Sequence, residues 1–359
     1  MTTEAAPDAG PPRVAVIGSG AWGTTLAVLV AQQEPVVLLA RSPEVAEQLD
    51  RDRRNTKRLP GIELGPRIHV TADPRALETA TDLVIFAVPS AHLREMAERV
   101  RRLVPASADL LSVVKGLERG TLLRMTEVIA DALGVADARV AALSGPNLAH
   151  EIARGLPASA VVASLDPGVG ERVVARLSRR AFRLYTNSDV IGVELGGALK
   201  NVIAIAAGAA DGLGFGDNGK AGLMTRGLAE MTRLGIAAGA NPLTFAGLAG
   251  VGDVIATCGS KLSRNHQLGD LLASGRKWAD LEAVLPGVAE GAYTVDAALA
   301  LAARHGVEMP IAKEVHNALF EGKSVQRCLI DLLARESKDE LADFQRWVDR
   351  LVDPRPEPA

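Results

Sequence analysis

Residues 13–23 read RVAVIGSGAWG, and the fold class turns on how that stretch is parsed. The opening RVAVIG is a short β-branched run, the pattern of a buried strand. Gly18, Gly20 and Gly23 follow in G-x-G-x-x-G spacing, where a helical pattern opens. Gly18 permits a tight turn, Gly20 lets backbone approach a pyrophosphate, and Gly23 allows close helix–strand packing. The helix N-terminus attracts the anion. Without context the pattern is a tight turn in any sheet protein. Between a strand and a helix it is the fingerprint of a dinucleotide site.

Working outward, PVVLLA (35–40), DLVIFAVP (82–89), DLLSVVKG (109–116), RVAALSGP (139–146), SAVVASL (159–165) and FRLYT (182–186) read as further strands. Helical spacing lies between most of them, as at 90–103 and 121–133. The alternation predicts a parallel doubly wound sheet with right-handed crossovers over residues 13–187. After Thr186 the strand signal stops. Helical patterns follow at 189–210, 219–239, 264–274, 294–305, 311–321, 325–334 and 338–351, giving an all-α domain over 188–352. The expected class is therefore α/β, an N-terminal Rossmann-type doubly wound sheet followed by an all-α C-terminal domain. Residues 1–12 and 353–359 read as disordered tails.

Composition narrows the function classes. A chain of 359 residues, 48% hydrophobic and 23% charged, is long enough for two domains with buried cores. A net charge of −3 argues against nucleic acid as the main partner. Cys258 and Cys328 make neither a disulfide framework nor a zinc site, and the six histidines show no metal spacing. That usage suits a reducing cytoplasm. The start MTTEAAPDAGPP has no secretory pattern, and no apolar run reads as a membrane span once Lys200 is counted, so no stable membrane insertion is expected.

Ligands of open α/β sheets sit beyond the carboxyl ends of the strands. The second strand ends at Ala40, where an NAD-specific site places an acidic residue; here Arg41 and Ser42 follow. A cation there suits a 2′-phosphate, so NADP(H) joins NAD(H) as a cofactor, unless Arg41 is simply solvated. The basic run RDRRNTKRLPG (51–61) reads as a solvated surface stretch. Lys115, Gly145 and Asn147 stand just past strand ends, an address for function, although a lysine ending a strand is by default solvated.

Lys200 interrupts the apolar stretch GGALKNVIAIAAG (196–208). It is either a snorkelling side chain or an ammonium held in a cleft, able to give a proton to a carbonyl as hydride arrives. Gly196, Gly197 and Ala204 flank it with small side chains that clear space for another backbone or a substrate, whose oxygen would spare the ammonium a permanent partner. Asn201 stands ready to orient the ammonium or the substrate. Asp253 lies farther on; Ser263, Arg264 and Asn265 then open a helix. That trio is an ordinary cap or a phosphate site of fork donors, amide and free N–H groups.

The stretches GSGAWGTTLA, LPGI, FAVPS, SVVKGLE, LSGPNLAHEI, GLAGVGDVIATC, SRN, VAEG and the long block from Tyr185 to Met231 occur in order over residues 13–340. In these the chain resembles the bacterial NAD(P)-dependent glycerol-3-phosphate dehydrogenases. The resemblance implies hydride transfer between NAD(P)H and C2 of dihydroxyacetone phosphate, giving sn-glycerol 3-phosphate for phospholipid synthesis. It implies Lys200 as proton donor and acceptor, and substrate contacts at Lys115, Gly145, Asn147, Lys200, Asp253, Ser263, Arg264 and Asn265. Cofactor contacts carry over to Ala21, Trp22, Arg41, Lys115, Ala149, Arg264, Val288 and Glu290, beside the glycine turn, and a homodimer is implied. The chain departs from the usual pattern at Asn147, where Ser or Thr is common, and at QQEPVV, which lacks a glycine. The competing readings are a related two-domain dehydrogenase of another small hydroxy compound and a non-catalytic dinucleotide sensor. The sensor would need no proton donor at position 200.

Overall fold

The computed structural model describes residues 10–282 and 288–336. Strands β1 (Val14–Ile17), β2 (Val36–Leu39), β3 (Ile68–Thr71), β4 (Leu83–Phe86), β5 (Asp109–Ser112), β6 (Val140–Ser144), β7 (Ala158–Ala163) and β8 (Phe182–Asn187) form one sheet. Their order is β3-β2-β1-β4-β5-β6-β7-β8. Helices α1 (Ala21–Ala31), α2 (Pro43–Asp52), α3 (Leu93–Val100), α4 (Met125–Leu133), α5 (Ala149–Ala153) and α6 (Pro167–Leu177) connect them.

Side chains alternate along a strand, so one strand feeds two cores. Val14 and Val16 of β1 join Leu38, Ile85, Leu26 and Leu29 of α1, and Val173 and Leu177 of α6. Ala15 and Ile17 join Val37, Leu39, Val84, Phe86, Leu93 of α3, and Val128 and Ile129 of α4. Burial on both faces is why these strands read as continuous apolar runs.

The sheet departs from expectation twice. Strand β3 was not foreseen: its four residues, IHVT, carry a polar residue at every second position and pair only with β2 at the sheet edge. Strand β7 runs antiparallel to β6, with Leu143 opposite Val162. Only the five-residue α5 lies between β6 and β7. Five helical residues span about 7–8 Å, too little to cross back over the sheet, so the chain re-enters from the end it left. Strand β8 then follows β7 in parallel through α6.

The basic run is also more than a solvated stretch. Arg53 ends α2 in the left-handed region, and its guanidinium donates to the carbonyls of Leu64, Gly65 and Ile68. Leu59 is buried. The buried Asn55 amide donates to the Ser19 carbonyl at 2.9 Å and to the Thr24 hydroxyl at 2.8 Å, pinning the glycine turn.

Helices make up the described part of the chain after Asn187: α7 (Val190–Gly212), α8 (Gly216–Ala237), α9 (Pro242–Phe245), α10 (Asp253–Gly259), α11 (Arg264–Ala273), α12 (Trp278–Leu281), α13 (Glu290–Arg304), α14 (Pro310–Phe320) and α15 (Val325–Leu333). The expected helix at 338–351 lies outside the described residues. Helix α7 is long and apolar enough to cross a membrane, contrary to the sequence expectation, yet 89% of its most apolar window is buried in the protein. It is the axis of the helical core. The stretch Pro242–Gly259 also meets that length test, but it is broken into α9, a π-helical turn at Leu248–Gly252, and α10.

Contact between α7 and α11 is backbone to backbone. A Cβ on Gly208 would lie 1.9 Å from the His266 carbonyl, and one on Gly269 would lie 1.9 Å from the Ile205 carbonyl. Neither oxygen can swing away as a side chain would. Gly269→Ala is expected to cost about 1–3 kcal/mol or more, read as a lower urea midpoint at unchanged slope. An unchanged midpoint would show that the crossing is loose.

Candidate active site

The glycine turn is built as its sequence requires. Gly18 has φ +111°, and a Cβ there would meet the Ala87 carbonyl at 2.6 Å. A Cβ on Gly23 would sit 2.0 Å from the Gly18 carbonyl, so α1 packs directly on the turn. Gly20 caps α1, with open space within 4 Å of where a Cβ would stand. Ala21 and Trp22 form the first turn, and the buried Trp22 indole N–H has no hydrogen-bond partner. The Ala149 carbonyl accepts from Thr25 at 3.2 Å, which brings α5 to the same helix. Arg41 is exposed just past β2, whose last residue pairs with Ile17 before the turn. This cradle fits a dinucleotide: an open N-terminal helix turn for the pyrophosphate, an orphaned donor beside it, and a cation at the ribose end.

Beyond the carboxyl ends of β5 and β6 lies a buried charge cluster. Lys115 Nζ donates to the Gly145 carbonyl at 2.9 Å and to Asp253 Oδ2 at 2.5 Å. Lys200 Nζ sits 2.9 Å from Asp253 Oδ1 and donates to Thr257 Oγ1 at 2.5 Å. The Thr257 hydroxyl in turn donates to Asp253 Oδ1 at 3.1 Å. The Asp253 side chain is 1% exposed and that of Lys200 8%. Burial pushes the Asp253 carboxyl up, but Lys115 and Lys200 outweigh it and hold it below the usual carboxylate range. Burial, aided by Lys200 and opposed by Asp253, lowers the Lys115 ammonium to about 8.

Three expectations about Lys200 are corrected here. It has permanent partners, Asp253 and Thr257, and does not wait bare for a ligand. The preceding glycines do not clear an open space. A Cβ on Gly196 would strike the Ala249 carbonyl at 2.4 Å, and one on Gly197 the Ser144 hydroxyl at 2.4 Å. They let α7 lie against the sheet and the π-helical turn, which brings position 200 to Asp253. Asn201 does not orient the ammonium; it reaches the Gly197 carbonyl at 3.5 Å and accepts from Asn265 Nδ2 at 2.8 Å.

Asn265 also accepts from the Gly291 N–H at 2.9 Å, so its amide joins α7, α11 and α13. Ser263 is the N-cap of α11, receiving the His266 N–H at 3.3 Å. Arg264 is exposed at the first position of that helix. Asn147 lies beside the cluster in sequence, and neither its Nδ2 nor its Oδ1 has a partner although both are buried. Glu290 begins α13 and accepts from Ser90 Oγ at 2.5 Å and Ser90 N–H at 3.3 Å; burial raises its carboxyl. Val288, two residues before, is half-buried.

Sequence reasoning missed Thr257. The available signal was spacing: Thr257 follows Asp253 by one helical turn on α10, so both face the same way. Ser90 entered the sequence reading only within the stretch FAVPS, and its tie to Glu290 spans 200 positions.

The family described as "NAD-dependent glycerol-3-phosphate dehydrogenase N-terminus" matches residues 13–169, and its C-terminal counterpart matches residues 189–330. A Streptomyces avermitilis glycerol-3-phosphate dehydrogenase (NAD(P)+) is 47% identical over 332 residues, covering 92% of this chain and 98% of its own. A Chlorobium limicola protein of the same name is 44% identical over 330 residues, covering 91% and 99%. The crystal structure of glycerol-3-phosphate dehydrogenase from Coxiella burnetii is similar with a TM-score of 0.85 at 36% identity, covering 90% of this chain and 98% of that one.

The cluster makes a signed prediction. The Lys115 value of about 8 in the fold lies below its ordinary 10.5. Between those values the unfolded chain holds more protons, so the fold gains stability as pH rises through that window. Denaturant midpoints of ligand-free protein should show the gain, and Lys115→Met should lack it. In Asp253→Asn the anion is gone, so a side-chain NMR titration should find Lys115 releasing its proton at lower pH than in wild type. An unmoved titration would exclude Asp253 as its counterion.

Proposed function

The chain belongs to the NAD-dependent glycerol-3-phosphate dehydrogenase family, and on that premise we propose how its residues share the reaction. The reaction is the reversible reduction of dihydroxyacetone phosphate to sn-glycerol 3-phosphate with NAD(P)H. When bound, the dihydronicotinamide supplies the hydride that goes to C2. The carbonyl oxygen needs a proton at the same time, and the observation that carries the assignment is the buried Lys200–Asp253–Thr257 contact set.

In this reading Lys200 Nζ gives its proton to the carbonyl oxygen, and takes it back in the oxidative direction. Thr257 and Asp253 hold Nζ in one place, so no side-chain search precedes the transfer. Lys115, fixed by the Gly145 carbonyl and Asp253, adds positive potential beside the same oxygen. Asn147 offers its unpartnered amide to the substrate hydroxyls. Arg264, with the N–H groups of the first turn of α11, takes the phosphate, capped by Ser263. Asn265 serves that site by tying α11 to α7 and α13, its side chain being occupied by Asn201 and Gly291.

Residues 13–187 then hold the cofactor, through Gly18, Gly20, Ala21, Trp22, Gly23, Arg41, Lys115 and Ala149, joined across the cleft by Arg264, Val288 and Glu290. Residues 188–352 supply the proton donor and, together with Lys115, Gly145 and Asn147, the substrate contacts. Arg41 supports use of NADPH as well as NADH. Two free buried cysteines suit the reducing cytoplasm. Family resemblance supports a homodimer, which sedimentation would test.

Lys200→Ala is expected to lower kcat by about 10²–10⁴-fold, the scale of a lost acid–base group, while cofactor titration stays intact. Near-wild-type turnover would refute the assignment. Arg264→Ala is expected to raise KM for dihydroxyacetone phosphate about 10–100-fold, as for loss of a charged hydrogen bond. An unchanged KM would remove Arg264 from the phosphate site.

A further inference from the structure

Two residues from opposite halves of the chain meet beyond the end of β4. Ser90 opens the short 3-10 turn (Ser90–His92) that follows this strand, and Glu290 is the first residue of α13. The Ser90 hydroxyl donates to Glu290 Oε2 at 2.5 Å, and its N–H donates to Oε1 at 3.3 Å. One residue thus grips both carboxylate oxygens, and each oxygen keeps a second lone pair to offer.

Glu290 has a nearer donor that it does not use. Thr294 stands one turn farther along α13 on the same face, and its hydroxyl is buried without a partner. A bond within the helix would satisfy that hydroxyl, yet the carboxylate turns away to Ser90. A buried hydroxyl left unsatisfied is costly, so the orientation of Glu290 is imposed from the sheet side. Gly116, next to Lys115, leaves Ser90 its place: a Cβ there would lie 2.7 Å from Ser90 Cβ and 2.9 Å from Ser90 Oγ. Burial pushes the Glu290 carboxyl up, and the two Ser90 bonds pull it back toward the acceptor form.

The sheet order says which part of a dinucleotide this carboxylate faces. Strand β1 lies between β2 and β4. The glycine turn follows β1 and Arg41 follows β2, which assigns the adenosine end to the β2 side. The nicotinamide nucleoside then belongs beyond β4, the strand that Ser90 follows. We propose that Ser90 is the positioning residue for Glu290, holding its carboxylate to accept from a donor of the nicotinamide nucleoside, a ribose hydroxyl or the carboxamide NH2. The inference rests on the reading of Glu290 as a cofactor contact.

Calorimetric titration with NADH, ADP-ribose and ADP tests it. Ser90→Ala is expected to weaken NADH binding roughly 3–10-fold, the scale of one hydrogen bond. Binding of ADP, which has no nicotinamide nucleoside, should be unchanged. In a Glu290→Ala background the same substitution should cost nothing more. A loss shared by ADP-ribose assigns the ribose hydroxyl as the donor, and a loss confined to NADH assigns the carboxamide. If Glu290→Ala binds NADH as wild type does, the reading of Glu290 as a contact falls, and the proposal with it. If Glu290→Ala weakens NADH binding and Ser90→Ala does not, the positioning role alone is overturned. An equal loss for ADP, or a loss that persists without Glu290, would overturn it as well, since Ser90 would then act on the fold at large or by itself.

Discussion

One carboxylate, Asp253, neutralises ammonium groups that arrive from opposite halves of the chain. Lys115 comes from the end of β5 and Lys200 from the middle of α7. An unpaired charge in a protein interior costs several kcal/mol, so neither lysine could occupy its place without the acid between them. With both lysines protonated the trio carries one excess positive charge. That surplus fits the proposed role of the cluster in taking a phosphorylated substrate, whose own charge has the opposite sign.

The position of Asp253 rests in turn on how α7 is packed. Helix α10, which carries Asp253 and Thr257, follows a π-helical turn whose Ala249 carbonyl lies against Gly196. On another side α11 and α13 meet α7 through glycines and through the Asn201–Asn265–Gly291 chain of hydrogen bonds. Arg124 and Thr126, from the sheet half, satisfy the buried Glu194 at the head of α7. Each contact is to backbone or to a fully bonded polar group. In its proposed role as proton donor, Lys200 on such a helix has little freedom to wander, which is the form of preorganisation that proton transfer rewards.

Much of this was legible in the chain. The glycine turn, the strands covered on both faces and the position of Lys200 follow from periodicity and from small residues, which are local signals. Strand β3 was invisible because an edge strand of four residues with polar alternates has no apolar run to announce it. The antiparallel entry of β7 depends on how far α5 reaches, which spacing alone does not reveal. The partners of Lys200 were missed for a different reason. Thr257 looks like any threonine in a helix, and it acquires a role only when α10 is set against α7. Side chains that act through tertiary pairing leave no periodic trace, whereas those that act through backbone geometry do.

The pin supplied by Asn55 has a consequence for cofactor choice. The segment that carries Arg54, Lys57 and Arg58 also hands the buried Asn55 amide to Ser19 and Thr24. Three basic side chains and the support of the glycine turn are thus carried on one loop. They are not separate dials: a graft that recast this loop to change nucleotide preference would remove the strut beneath the turn unless it kept Asn55 in register.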